Sequence, residues 1–277
     1  MIVEFKNPYV IVFSRDEKNS RVIERIHIEE FRPYFYIKKT EDVSNDPRIL
    51  RVEETTKRSL FGEELKKIIV REVYDVVRLR NLFGDTYEGD IKFTNRYWIN
   101  YIKDGPPENL RKCYFDLETT DMPSTQMDNE AITCIGVYDN YTDMDYTFIV
   151  DGKDELEKRV GHIIHHCINE YMMLDKFIEH VREFDYDMLI GHNAARFDFP
   201  VLIGRIQRLA VMNYGRLSPI GIVRRDNSFG EWRCIIGGRI LFDFMGPKTN
   251  FGIKGGIRGM LDGRDITVKG ADGEDRI

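Results

Sequence analysis

Three acidic residues, Asp116, Glu118 and Asp198, stand where apolar segments give way to loops or helices. Asp116 and Glu118 are two residues apart at the end of the apolar run CYFDL (113–117), and the strand period of two sends both side chains to one face. Carboxylates held side by side repel each other, and a divalent cation relieves the repulsion, so such a pair is the beginning of a metal site. A bare D-x-E, taken alone, is the mark of two ordinary solvent-facing strand residues far more often than of a metal site. The third acid follows the short apolar strand YDMLIGHN (186–193), at the start of a helix expected from near Phe199. The positive end of a helix favours an acid there, and a cation can be shared from it. That is also the ordinary place for a capping aspartate.

The surroundings of these acids narrow the choice. Asp116 and Glu118 lie in YFDLETT, and about 80 residues later Asn193, Phe197 and Asp198 form N-x-x-x-F-D within LIGHNAARFDFPVL. F-D-x-E-T followed by N-x-x-x-F-D resembles the first and second exonuclease motifs of the family B DNA polymerases. The resemblance implies a 3′-5′ proofreading exonuclease domain of the RNase H-like kind. It also implies a two-metal site for Mg2+ or Mn2+ that activates a water and stabilises the leaving 3′ oxygen. By motif, Asp116, Glu118 and Asp198 would be catalytic metal ligands, while Asn193 and Phe197 would shape the site around the 3′ terminal nucleotide. The implied partners are DNA, as a single strand or a primer 3′ end, and the palm and thumb of a polymerase.

The resemblance reaches upstream and downstream of the motifs. EEFRPYFYIKK (29–39) is similar to the F-R-P-Y-x-Y segment of archaeal family B polymerases. GDIKFTNRYWI (89–99) is similar to their D-I-P-F-x-x-R-Y-L segment, with Lys92 in place of the proline. With a D-V-x-x-x-R element at Asp75, Val76 and Arg80, these segments imply a template-uracil pocket at Pro33, Tyr34, Val76, Arg80, Ile91 and Phe93. The early tyrosine of that pocket has no counterpart, and plain packing is the competing reading for Tyr34, Ile91 and Phe93. GRILFDF (238–244) is similar to the G-R-x-x-x-D strand of these domains, which makes Asp243 a structural strand aspartate and the first alternative acid. Tyr214, Trp232, Arg224, Arg225 and Arg233 are candidates to stack on or neutralise a single strand. The third motif, Y-x-x-x-D, is not found: Asp262, Asp265, Asp272 and Asp275 each lack a tyrosine four residues before. Weak or absent exonuclease activity of the chain alone is therefore expected, as in a fragment, a split polymerase or a decayed copy. A noncatalytic DNA-binding or subunit-docking module is the alternative.

These residues need elements to hold them, and the sequence supplies an α/β pattern. YVIVFS (9–14), RVIERIHI (21–28) and PYFYIKK (33–39) alternate at strand period, and YDVVRLRNLFG (74–84) reads as a helix ended by glycine. LFGEELKKIIVREV (60–73) mixes both signatures. YIKDGPPENLRK (101–112) reads as a linker. An α+β N-terminal domain over 1–105, resembling that of the polymerases, and an exonuclease domain with a mixed sheet over 106–277 follow. In the second, strands at CYFDL, AITCIGVYD (131–139) and DYTFIVD (145–151) precede a helix over 169–184. In that helix Tyr171, Leu174, Phe177, Ile178 and Val181 recur at helical spacing. A second helix follows at 199–211, and GIVRR (220–224) and EWRCIIGGRILFDF (231–244) flank the turn DNSFG as a hairpin. The glycine-rich tail from Gly246 reads as loosely ordered.

A length of 277 residues favours two domains over one. The net charge of −6 weakens the case for nucleic acid without removing it, because metal-binding carboxylates lower the total without changing the surface that meets DNA. Four cysteines without C-x-x-C spacing indicate neither a zinc site nor a disulfide framework, and are expected as buried small hydrophobes. The amino terminus resembles no signal peptide and no long apolar run occurs, so a cytoplasmic location is expected.

Overall fold

The computed structural model describes residues 2–43, 45–102, 109–120, 129–228, 231–245, 268–269 and 275–276. The chain divides into two compact units, Met1–Pro107 and Glu108–Ile277.

The first unit contains two antiparallel sheets. Strands β1 (Ile2–Lys6), β2 (Tyr9–Arg15) and β3 (Arg21–His27) form a meander. Strands β4 (Tyr34–Lys38), β5 (Ile49–Arg58), β6 (Glu64–Val70) and β7 (Thr86–Tyr87) form a sheet of order β5-β6-β4-β7. Its two faces are both buried. Tyr34, Tyr36, Leu65 and Ile69 pack with Val10, Val12 and Phe93, whereas Phe35, Ile37, Ile68 and Val70 pack with Val76 and Leu79. Burial on both faces replaces alternation by the continuous run IIV, which is why 60–73 looked mixed although β6 is a strand. Helix α1 (Val73–Arg80) ends at Asn81 in right-handed geometry, not at Gly84 as the glycine suggested. Helix α2 (Phe93–Tyr97) runs on into a π-helical turn, Trp98–Ile102.

The second unit is built on a seven-stranded mixed sheet. Its strands are β8 (Lys112–Thr119), β9 (Ile132–Asp139), β10 (Met144–Val150), β11 (Glu155–Arg159), β12 (His162–Cys167), β13 (Met188–Gly191) and β16 (Ile240–Asp243), in the order β11-β12-β10-β9-β8-β13-β16. β8 pairs antiparallel with β9 and parallel with β13, which in turn runs parallel to β16. Helices α3 (Glu170–Phe184) and α4 (Asp198–Arg208) bring Leu174, Phe177, Val201 and Leu202 into the core beside Phe115 and Leu117. Asn169 caps α3 by accepting the Met172 N–H at 2.9 Å. Within α3, Tyr171 is exposed and Met173 is buried instead.

Three details depart from the sequence pattern. The β11–β12 hairpin lies between the third strand and α3, where charged residues hid it. EWRCIIGGRILFDF is two strands rather than one arm of a hairpin: β15 (Glu231–Ile236) pairs with β14 (Val223–Ser228), and after Gly238, at φ +79°, β16 joins the main sheet. Asp226, Asn227 and Ser228 are therefore strand residues rather than turn residues. Of the cysteines, all free, Cys113 and Cys167 are buried whereas Cys134 and Cys234 are half-buried. Apart from the short pairing of β17 (Val268–Lys269) with β18 (Asp275–Arg276), the tail lies outside the described residues, as do Asp262, Asp265 and Asp272. Among the described residues no helix is long and apolar enough to cross a membrane.

Candidate functional site

Strand β8 is fixed from its first residue. Arg111 grips the fully buried Asp139 with two hydrogen bonds, from Nε at 3.0 Å and Nη2 at 2.7 Å, and its backbone N–H reaches Asp187 Oδ2 at 2.9 Å. This bidentate pair joins the start of β8 to the end of β9. With the strand set, alternation does the rest. Cys113, Phe115 and Leu117 enter the core, while Asp116 and Glu118 are exposed together on the opposite face. Opposite Asp116 is Gly136, where a β-carbon would meet nothing within 4 Å, so the sheet is bare beside the carboxylate.

Asp198 arrives from the other side through a tightly closed loop. β13 ends at Gly191, where a β-carbon would lie 2.8 Å from Ala194 Cβ and 3.1 Å from the Phe115 carbonyl, so only glycine lets β13 lie this close to β8. Asn193 then adopts left-handed geometry at φ +62°, and its carbonyl accepts the N–H groups of Arg196 and Phe197. Phe197 is the helix N-cap but makes no side-chain capping bond, and its ring packs against the core. Asp198 is consequently not a cap. It is the first helical residue, 2% exposed, and accepts the Leu117 N–H from β8 at 3.2 Å. Burial, and then the nearby Asp116 carboxylate, push the Asp198 pKa up to about 6. The N–H bonds of its own backbone and of Leu117 oppose the rise, and Asp243 adds to it.

Asp243, at the end of β16, has a structural task as well as an electrostatic one. Its Oδ2 accepts the Ala195 N–H at 3.1 Å and its Oδ1 accepts the Met245 N–H at 2.8 Å, pinning the loop that carries Asn193 to the sheet. The neighbouring Arg239 is buried, donating from Nε to the Leu217 carbonyl at 2.6 Å and from Nη1 to Asp185 at 3.1 Å. It thereby locks the entry to β16 onto the end of α3.

Asp116 opens onto a groove of about 610 Å³ lined by residues of β8, β9 and β10. Tyr114, Tyr138 and Phe244 form its aromatic walls, with the rings of Tyr114 and Phe244 nearly parallel at 16°. On the far side Thr147 Oγ1 is 2.9 Å from His162 Nε2, and His192 borders the groove next to Gly191. Among the described residues no group of three or more His, Cys, Asp or Glu side chains converges closely enough to hold a metal ion. Asp116 and, less strongly, Asp243 act on the Asp198 carboxylate, and Glu118 is exposed on the same face of β8 as Asp116.

The residues of the expected uracil pocket do not form one cluster in the first unit. Tyr34 and Phe93 belong to one face of the four-stranded sheet and Val76 to the other. The Tyr34 hydroxyl accepts from Asn100 at 2.8 Å, with the Lys67 ammonium 4.2 Å above its ring. Arg80 donates to the Gly89 carbonyl at 3.1 Å, Pro33 is buried and Ile91 is half-buried. Near the β14–β15 hairpin, Arg225 lies 4.5 Å above the Trp232 ring and donates to the Pro200 carbonyl at 3.0 Å, while Arg224 and Arg233 are exposed. Tyr214 is exposed on a 3-10 turn.

A mixed sheet in which the interior strand β8 carries Asp116 and Glu118 near its end, with Asp198 at the start of the adjoining helix, defines an acid-bearing α/β domain. The chain belongs to DNA polymerase family B: residues 90–247 match the model of its exonuclease domain. It is 27% identical over 226 residues to a DNA polymerase of Thermococcus aggregans, covering 74% of this chain and 12% of that protein. A DNA polymerase of Pyrococcus glycovorans is 26% identical over 271 residues, covering 87% of this chain and 32% of that one. The fold matches the family B DNA polymerase of Pyrobaculum calidifontis with a TM-score of 0.66 at 21% identity, over 87% of this chain and 35% of that chain. The chain thus spans about a third or less of the length of these relatives. The mixed-sheet α/β architecture expected of the second unit is the one observed.

The motifs gave no sign of the groove, of His192 on its rim, or of the grip of Asp243 on Ala195. The pattern G-R-x-x-x-D held the only trace of the last, since a strand aspartate after an apolar run needs donors.

Proposed function

We propose that the second unit, residues 106–277, is the 3′-5′ exonuclease domain of a family B DNA polymerase, hydrolysing the terminal phosphodiester of single-stranded DNA, and that residues 1–105 are the polymerase N-terminal domain. The observation that carries this reading is the buried Asp198 carboxylate, which accepts the Leu117 N–H next to Asp116 and whose pKa is pushed up to about 6 by burial and then by Asp116, so that two acids share one place. Carboxylate oxygens are the donors that hard divalent cations take, so the donor chemistry fits Mg2+ or Mn2+, held by Asp116 and Asp198 with Glu118 beside them. When bound, such ions polarise the phosphate and lower the pKa of a water. The chain's own part is to hold the acids in place through Arg111, Gly191 and the Asn193 loop, with Asn193 and Phe197 bordering the 3′ terminal nucleotide.

Because the third motif, Y-x-x-x-D, is not found in the sequence, the chain alone is expected to bind metal weakly and hydrolyse DNA slowly, with DNA and the palm and thumb of a polymerase as its partners. The same observation favours a second reading, a noncatalytic DNA-binding or docking module. A manganese titration separates the two. Loss of more than about tenfold in Mn2+ affinity in Asp198→Ala supports the nuclease site. Unchanged Mn2+ and DNA affinity in that variant supports the docking module. Vigorous magnesium-dependent degradation of single-stranded DNA, abolished in Asp116→Ala, would overturn the expectation of weak activity. Recognition of template uracil by the first unit is a further part of the proposal. It requires Pro33, Tyr34, Val76, Arg80, Ile91 and Phe93 to act from two faces of one sheet, and equal affinity for uracil- and thymine-containing template strands would remove it.

A further inference from the structure

We propose that Glu170 and Arg205 are positioning residues of the acid site, a buried ion pair that fixes helix α4, and with it Asp198, against the ends of β8 and β9. The inference rests on the metal-site reading of Asp116, Glu118 and Asp198, and neither residue of the pair belongs to either motif.

The pair lies where three elements meet. Glu170 is the first residue of α3 and Arg205 stands in α4, with side chains 11% and 8% exposed. The Arg205 guanidinium grips the Glu170 carboxylate with two bonds, from Nε to Oε1 at 2.7 Å and from Nη2 to Oε2. The same Glu170 Oε1 accepts the N–H of Ile132, the first residue of β9, at 2.8 Å, and Arg205 Nη1 donates to the Asn129 carbonyl at 3.4 Å.

Strand β9 is irregular at this point. Glu118 pairs with Cys134 but Thr119 pairs with Ile132, so Thr133 is an extra residue opposite the end of β8. Its Oγ1 donates to the Glu118 carbonyl at 3.1 Å. A bulge turns the side chains beside it and ends regular pairing, so the direction of Glu118 depends on where Ile132 is held. Glu170 is what holds it. On α4, Arg205 follows Asp198 by seven residues, and two helical turns place both on one side of the helix. The helix is therefore tied to β8 by the bond of Asp198 to the Leu117 N–H, and to the start of β9 through Arg205 and Glu170. A carboxylate that is to hold a cation must turn its oxygens toward the metal, and the second tie keeps the helix in place when it does. A buried ion pair is often no more stabilising than apolar side chains of similar volume, which makes placement the distinctive contribution of this one.

The test is a double-mutant cycle on Mn2+ affinity, read with the full chain from the electron paramagnetic resonance of free Mn2+, with urea unfolding in EDTA as the parallel measure of stability. Arg205→Met is expected to weaken Mn2+ binding by the folded protein about tenfold, as loss of a partner that orients a metal ligand does. In the Asp198→Asn background the same change should cost no more than about twofold, because the ligand it places is already gone. Arg205→Lys keeps the charge without the planar fork; it should fold even where the methionine variant does not, and lose about threefold in the same cycle. A merely structural pair would lower the urea midpoint and leave the Mn2+ affinity of the folded protein unchanged. Unchanged affinity in Arg205→Met, or in Arg205→Lys where only that variant folds, overturns the inference, as does an equal loss in the two backgrounds. If Asp198→Asn alone leaves Mn2+ affinity as it was, the metal-site reading fails and takes the inference with it. That outcome is distinct from a cycle in which Asp198→Asn weakens binding and the Arg205 variants do not, which removes the positioning role alone.

Discussion

Replacing Asp198 by asparagine should make the metal-free protein more stable. The side chain is 2% exposed and its pKa is pushed up to about 6, chiefly by burial and then by Asp116, so at neutral pH the fold holds a charge it would rather neutralise. The sign follows from proton binding. Between the unfolded value of about 3.9 and the native value of about 6, the folded state binds more protons, and stability therefore falls as pH rises through that window. Above pH 6 the loss is complete, at about 3 kcal/mol, and at pH 4.5 it has shrunk to about 1 kcal/mol. Asparagine at 198 keeps an acceptor for the Leu117 N–H and can turn its amide toward Asp116, so the variant should escape the loss. Urea unfolding in EDTA should show Asp198→Asn ahead of the wild type by about 3 kcal/mol at pH 7 and by about 1 kcal/mol at pH 4.5. Added Mn2+ should then nearly close the gap at pH 7. A cation present at 100 times its dissociation constant stabilises the wild type by about 2.7 kcal/mol and leaves the variant nearly unchanged. An asparagine variant that is no more stable than wild type at pH 7, or whose advantage does not depend on pH, would refute the electrostatic reasoning.

Other perturbations test the scaffold. Gly191→Ala places a β-carbon 2.8 Å from Ala194 Cβ and 3.1 Å from the Phe115 carbonyl, and a loss of about 1–3 kcal/mol is expected in thermal or urea unfolding. Arg239→Met removes the buried guanidinium that donates to the Leu217, Tyr186 and Val181 carbonyls, and should destabilise the second unit by about 3 kcal/mol in the same assays. His180, stacked on Phe184 and hydrogen-bonded to the Tyr186 hydroxyl, has its pKa lowered to about 3 by burial. The unfolded imidazole takes up a proton below about 6.5 while the folded one does not, so stability should fall by about 1.4 kcal/mol per pH unit from there toward pH 3. His180→Phe should remove this acid limb from the pH dependence of urea unfolding, and an unchanged slope would show that the imidazole is protonated in the fold.

How much of this was readable in advance depended on the range of the interactions involved. The positions of Asp116 and Glu118 follow from a period-two alternation written in seven residues, and the helix over 169–184 from its apolar spacing. The β11–β12 hairpin escaped because ELEKR has four charged residues in five and stands at the sheet edge, where burial leaves no alternation to read. The hairpin boundary failed for a related reason: Asp226, Asn227 and Ser228 are turn formers by type, yet pairing with Trp232, Arg233 and Glu231 holds them in a strand. For the candidate site, the sequence located the acids but not their environment. Whether Asp198 was a cap or a buried anion depended on Leu117, 81 residues away, and on Asp116 across the same gap.

That environment also ties the site to the stability of the fold. Asp243 shows the coupling best, because the carboxylate that pins Ala195 to the sheet also raises the energy of the ionised Asp198. Neutralising Asp243 would ease the crowding of charge but release the loop that sets Asn193 and His192 in place. The two effects have opposite signs and different readouts: the first lowers the Asp198 pKa, and the second loosens the groove. Asp243→Asn keeps an acceptor for the Ala195 N–H while removing the charge, so it should reduce the pH dependence assigned to Asp198 and preserve the affinity for a single DNA strand. Asp243→Ala removes both, and should weaken that affinity as well. If the two variants behave alike in DNA binding, the loop does not need Asp243 to hold its shape, and Asp243 influences the site through charge alone.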